Sequence, residues 1–196
     1  MRTDSQRLPP MRDDEVDDEQ EAILAPFRQA GAAFGVSRAM VRHPVALKAF
    51  RVWATYVMLT PNPLEERERE IVALRTAWGI RCGYVWSRHL SYAEKAGLTD
   101  EEIEACKKPV GDHPWSEADA ALIEATDAMI ADFFVPDDIW AKLARHFTDK
   151  QCMDVIFCCG HFILMGTFLN VAGVPIDPDV PLDPDLDMRA NGGARK

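Results

Sequence analysis

Glu70-Ile71-Val72-Ala73-Leu74-Arg75-Thr76-Ala77-Trp78-Gly79-Ile80-Arg81-Cys82-Gly83-Tyr84-Val85-Trp86-Ser87-Arg88-His89 is the stretch that decides how this chain of 196 residues is read. A carboxylate stands twelve residues before a cysteine, and a histidine follows that cysteine by seven. Seven helical residues make almost two turns, so Cys82 and His89 share one helix face with Val85 between them. The spacing brings together a proton carrier, a thiol and an imidazole. A dithiol redox site would need a second cysteine at 85, and valine stands there.

Working outward, apolar residues recur at helical spacing on both sides of this stretch. Helices are expected from about Glu19 to Gly35, Ser37 to His43, Val45 to Leu59 and Leu64 to Trp78. His43-Pro44 ends the second, because the residue before proline avoids the α region. Asn62-Pro63 reads as a cap and first turn for the fourth. Pro26 either bends the first helix or marks its true first turn. Further helices are expected from Cys82 to Ala96, Thr99 to Lys107, Trp115 to Asp132, Pro136 to His146, and Thr148 to about Ala172. No segment alternates with the period of a strand. The expectation is an all-α domain of eight or so helices over residues 19–176.

The two ends differ from this body. Residues 1–18 carry Asp13-Asp14-Glu15 and Asp17-Asp18, too much charge to bury anything, and are expected to form a disordered acidic arm. Residues 177–196 repeat proline and aspartate, which prevents helix and predicts an extended tail lying across a neighbouring surface, with Ala190 to Lys196 mobile.

Composition narrows the function. A net charge of −10 argues against nucleic-acid backbones and anionic membrane surfaces as partners. The N-terminus has no apolar signal core, and five cysteines without scaffold spacing fit a reducing, cytoplasmic setting. The apolar run Val155 to Leu169 is shorter than the roughly 18 residues a bilayer span needs, and it contains His161, so it is read as a core or subunit-interface helix. No metal-ligand or phosphate-loop spacing appears, and neither a metal nor a cofactor is expected.

From Asn62 to Leu98 the chain resembles the carboxymuconolactone decarboxylase family, which includes the AhpD-type alkylhydroperoxidases. Glu70, Cys82 and His89 fall on the first, second and fourth elements of the peroxidase pattern Glu-x11-Cys-x2-Cys-x3-His; Val85 replaces the third. Leu74-Arg75-Thr76-Ala77-Trp78 and Tyr84-Val85-Trp86 resemble the non-redox members, whose expected glutamate is also valine here. Phe168 to Pro175 resembles the family's ending.

The resemblance implies an AhpD-like multi-helix bundle, assembled as a homo-oligomer (trimer, hexamer or a related ring). It also implies an enzyme that decarboxylates, isomerises or hydrolyses a small carboxylated or lactone-like compound by acid/base chemistry. His89 is expected to donate the proton, with Glu70 orienting it. Cys82 at a helix N-terminus has two open uses: an activated thiol, or a packed small apolar residue. Tyr84, Trp86 and His161 are the expected substrate contacts, and Arg75 or Arg81 would bind a substrate carboxylate. Two other readings stay open: a thiol peroxidase using Cys82, with Cys158 or Cys159 resolving it, and a non-catalytic binding or assembly protein.

Overall fold

A computed structural model describes residues 1–59 and 62–189. Among these residues there are nine α-helices and no strand: α1 (Asp18–Gln29), α2 (Gly35–Met40), α3 (Pro44–Met58), α4 (Glu66–Gly79), α5 (Gly83–Lys95), α6 (Asp100–Ala105), α7 (Glu117–Asp132), α8 (Asp137–His146) and α9 (Asp149–Ala172). The end expected to be mobile, 190–196, lies outside the described residues.

The helices start where local chemistry satisfies their free N–H groups. Thr99 and Thr148 cap α6 and α9, each with a capping box closed by Glu102 and Gln151. Proline at the first position of α3 uses a site whose N–H has no intrahelical partner, and the His43 ring accepts from the Ala46 N–H. Two boundaries differ from expectation. Asn62 caps no helix: its side chain ties the α3–α4 connection to the carbonyls of Tyr56 and Val57, and α4 begins after Glu65, whose N–H donates to the Glu68 carboxylate at 2.8 Å. Pro26 stands neither at a first turn nor outside α1, but inside it near the C-terminal end.

Helix α4 is the centre of the bundle, packed against α5, α7 and α9. Every residue from Arg69 to Ala77 is buried, so this helix is covered all round rather than along one stripe. That explains why its charged opening misleads: the run from Glu65 to Glu70 looks like a solvated face, yet Arg67 turns to Asp119 and Glu102 while Arg69 and Glu70 enter the interior. A tight turn at 80–82, with Arg81 in the left-handed region at φ 57°, folds α5 back on α4.

Helix α9 is longer than its apolar run implied, with 24 residues, and by length and composition alone it is able to cross a membrane. It packs on α3, α4, α5 and α7, and it carries buried Asp154, bonded to the Tyr56 hydroxyl at 2.6 Å, and buried His161. These contacts make it the second core helix of the bundle.

Both chain ends are held against the domain. The arm 1–18 is not free: Leu8 N–H donates to the Ala172 carbonyl at 3.0 Å, Met11 is buried, and Asp13 pairs with Arg28 and Arg38. Its acidic residues find arginines on α1 and α2, which offsets the charge that predicted disorder. The tail lies across its own domain. Asp177 and Asp179 hold Arg88, Asp183 holds Lys107, and Leu186 is fully buried.

Gly173 lies against the N-terminal arm. It closes α9 at φ +69°, and a Cβ there would stand 2.1 Å from the Ser5 carbonyl oxygen. Gly173→Ala is expected to cost about 1–3 kcal/mol, from the left-handed backbone and the clash together, read as a lower urea midpoint. An unchanged midpoint would show that the arm is not seated on α9.

Candidate functional site

Helices α4 and α5 bring Glu70 and His89 together. His89 Nδ1 lies 2.7 Å from Glu70 Oε2, and both side chains are buried. With the carboxylate ionised, Nδ1 carries the hydrogen and donates it, which fixes the tautomer and leaves Nε2 as the working nitrogen. The ring is held edge-on by Phe162 at 4.8 Å and by Tyr92 at 5.5 Å.

This pair stands in the wall of a half-open cavity of about 500 Å³ lined by α3, α4, α5, α9 and the α1–α2 segment. Its apolar lining comes from residues such as Phe27, Phe50, Met58, Phe162 and Met165. Its ionisable lining is Glu66, Glu70, Arg51, Arg69, Arg88 and Lys95, together with the two histidines 89 and 161.

His161 reaches the cavity from α9. Its ring stacks on Phe50 at 5.2 Å and 20°, and Nδ1 is buried without a hydrogen-bond partner. Burial, and to a lesser degree the nearby His89, push its pKa down from 6.5 to about 4. His161 is therefore neutral near pH 7. The sign of the linkage follows. Between pH 6.5 and 4 the unfolded chain binds a proton at this residue that the folded chain refuses. Stability is thus full above that window and falls as the pH drops through it. His161→Gln should flatten this acid loss by ~3 kcal/mol at most, seen as converging urea midpoints for the two proteins at low pH. Parallel curves would show that His161 is not held neutral.

Cys82 does not line the cavity, and its thiol is free. It is the N-cap of α5, as its spacing implied, but fully buried. Burial pushes its thiol up to about 11, against the lowering expected from the helix end; desolvation outweighs the N–H groups of Tyr84 and Val85. Its Cβ packs against Gly166 of α9. Cys158 and Cys159 lie two turns earlier on that helix, roughly 10 Å along its axis, and face Arg69 O and Thr76 Oγ1 instead. A disulfide needs Cα atoms within about 7 Å, so neither resolves Cys82 here. Val85, where the peroxidase pattern places its second cysteine, does line the cavity.

The aromatic residues divide. Tyr84 lines the cavity, but its hydroxyl is committed to Asp177 and to the Val36 N–H at 3.2 Å, and burial with the Asp177 bond raises its pKa. It is not free for a substrate oxygen. Trp86 is 1% exposed and packs on Trp78 and the Lys107 ammonium, away from the cavity.

The arginines divide too. Arg75 is a structural tie to Asp127 and to the carbonyls of Cys106 and Lys108, and Arg81 stacks on Trp78 at 4.4 Å. The cavity instead receives Arg69, which sequence reading passed over as one charge among several. Its signal was position: it adjoins Glu70 and sits three residues after Glu66, so one face of α4 carries all three. Among the described residues, no group of three or more His, Cys, Asp or Glu side chains is arranged to hold a metal ion.

Residues 44–128 match the family model of the carboxymuconolactone decarboxylase family. The uncharacterized protein YdfG of Bacillus subtilis (strain 168) is 23% identical over 103 residues. That match covers 48% of this chain and 66% of YdfG, just under two thirds of the relative's length. Among solved structures, an AhpD-core, peroxidase-related protein of Ralstonia eutropha JMP134 superposes with a TM-score of 0.73 at 19% identity, covering 97% of each chain. A cysteine-to-alanine variant of the debrominase Bmp8, in complex with 2,3,4-tribromopyrrole, superposes with a TM-score of 0.72 at 10% identity, covering 98% of this chain and all of that one. At such identities the structural likeness establishes the fold.

Proposed function

We propose that this chain, whose residues 44–128 match the carboxymuconolactone decarboxylase family model, is an enzyme that acts on a small molecule held in the cavity, by acid/base chemistry at His89 and Glu70. The observation that carries this reading is the 2.7 Å bond between Glu70 and His89 in the wall of a largely apolar cavity. A hydrogen-bonded carboxylate holds an imidazole in one orientation and stabilises its protonated form.

In a decarboxylation the bond to the departing carboxylate breaks, and its electron pair moves into an adjacent carbonyl as CO2 leaves. His89 Nε2 then delivers a proton to the resulting enolate carbon, and Glu70 Oε2 holds the imidazole through the transfer. Isomerisation uses the same pair to remove a proton from one carbon and return it to another; hydrolysis uses it to deprotonate water. The chemistry requires no cofactor. The 2,3,4-tribromopyrrole bound by the debrominase of the same fold is a small ring compound, which supports a ring-sized ligand in this cavity. The homo-oligomer expected from the resemblance belongs to this proposal, and exposed Met153, Ile156, Leu164 and Val171 on α9 supply apolar surface for it.

The test incubates the protein in D2O with carboxymuconolactone and related carboxylated lactones and reads products by NMR and CO2 by a coupled assay. Deuterium at the carbon next to a carbonyl, dependent on His89, is the expected result. No turnover of any compound, or turnover unaffected by His89→Gln, would overturn the reading.

A further inference from the structure

The charge of the cavity runs against that of the protein. A chain with net charge −10 lines this space with four basic residues, Arg51, Arg69, Arg88 and Lys95, and only two acidic ones, Glu66 and Glu70. Arg88 is paired through Nη1 and Nη2 with Asp177 at 2.7 Å and Asp179 at 2.9 Å, although its Nε is buried without a hydrogen-bond partner. Glu70 is bonded to His89. Arg51 lies over the Phe27 ring and Lys95 over the Tyr92 ring, both at 5.9 Å, and neither forms an ion pair among the described residues. Both are exposed, so they belong to the rim.

Arg69 is different because it is 4% exposed. Its Nη1 donates to the Leu64 carbonyl, and its nearest carboxylate is Glu66 at 4.0 Å, a side chain 76% exposed to solvent. A solvated partner at that distance compensates a buried cation poorly. Because Nη1 is used, the Nε–Nη2 edge of the guanidinium has no hydrogen bond among the described residues. That edge is the flat, two-donor side that matches a carboxylate.

We propose that Arg69 is the anion anchor of the cavity, and that the substrate is an apolar monocarboxylate whose carboxylate docks on the Nε–Nη2 edge while its hydrocarbon body fills the apolar walls. The proposal deepens the function proposed above and rests on it only for identifying the cavity as the substrate site. One buried guanidinium balances one negative charge, and the rest of the wall is apolar, so a monoanion fits better than a phosphate dianion. Arg51 and Lys95 at the rim add attraction for an incoming anion. The site also divides the labour: Arg69 binds charge, and the Glu70–His89 pair handles protons.

The test is titration calorimetry on the full chain with 2-naphthoate, its neutral isostere 2-naphthamide, and the alkyl pair decanoate and decanamide. The expected result is that each carboxylate binds about 10-fold or more tightly than its amide. Arg69→Met should remove that preference and leave amide affinity within about twofold. Arg69→Lys, which keeps the charge but loses the fork, should retain only part of it. A preference confined to one pair tells whether the body is aryl or alkyl. Equal affinity of acid and amide in the unaltered protein, an intact preference in Arg69→Met, or no binding of any probe would overturn the proposal. If Arg69→Met fails to fold, the comparison of acid with amide in the unaltered protein and in Arg69→Lys still decides. Carboxylate binding without turnover of the lactones would sink the acid/base reading and leave this one standing; His89-dependent turnover with no preference for acids would do the reverse.

Discussion

Replacing His89 with glutamine is expected to lower kcat/KM by about 10²–10⁴-fold on whichever carboxylated or lactone substrate the protein turns over, the usual contribution of a positioned general acid or base. Glutamine preserves much of the volume and one hydrogen bond toward Glu70, so the variant should fold and bind ligand; the loss should fall on kcat rather than KM. Glu70→Gln separates the two roles of the pair. It keeps a hydrogen-bonding partner 2.7 Å from Nδ1 but removes the charge that supports an imidazolium. Its loss should be smaller than that of His89→Gln. Combining the two substitutions should cost little more than His89→Gln alone, since both act through one proton transfer. Full activity in His89→Gln would remove this histidine from the chemistry. An effect on KM alone would recast the pair as a binding contact.

The second large effect concerns stability. Arg75→Ala is expected to destabilise the fold by about 3 kcal/mol, because a buried cation holding two carbonyls and a carboxylate is removed at once. Arg75 Nε and Nη2 hold both oxygens of Asp127 at 2.6 Å, and Nη1 reaches the carbonyls of Cys106 at 2.8 Å and Lys108 at 2.6 Å. The Asp127 side chain is 43% exposed and regains water, so Asp127→Asn should cost only about 1 kcal/mol. The buried Cys106 carbonyl, at the end of α6, has no such recourse. For a chain of this size the larger loss corresponds to a drop of about 6–12 °C in Tm. If Arg75 instead bound a substrate carboxylate, Arg75→Ala would raise KM with Tm unchanged, and that outcome would refute the structural assignment.

These two arginines show where reading the chain alone stops. Arg69 and Arg75 differ by six residues on one helix, and both belong to charged or mixed stretches that look alike in sequence. Periodicity identifies a helix and its ends. It cannot rank the faces of a helix buried on all sides, because no polar stripe marks an outside. Glu70 inward, Arg67 outward to Asp119 and Glu102, Arg69 to the cavity and Arg75 to α7 are decided by which neighbours α4 packs against.

Cys82 teaches the same lesson through electrostatics. Its place at the start of α5 was legible, and a helix N-terminus favours a thiolate. Its state was not legible, because the competing term is desolvation. Gly166 of α9 is distant in sequence and packs directly on it, and the thiol ends near 11. The chain ends followed suit: the charges of the acidic arm and the Pro/Asp tail are met by arginines and a lysine supplied by α1, α2, α5 and the segment after α6.

The all-helical class, most of the helix limits, the resemblance to the family and the spacing that picks out Glu70 and His89 were legible in the sequence alone. All of these rest on local periodicity, capping chemistry or residue spacing, which act over one or two turns. Which cation enters the cavity, which thiol is silenced, which tyrosine is already bonded and what the termini lie against were decided only by the tertiary structure. Burial and charge pairing join residues far apart in the chain, and their energies depend on distances that no spacing encodes.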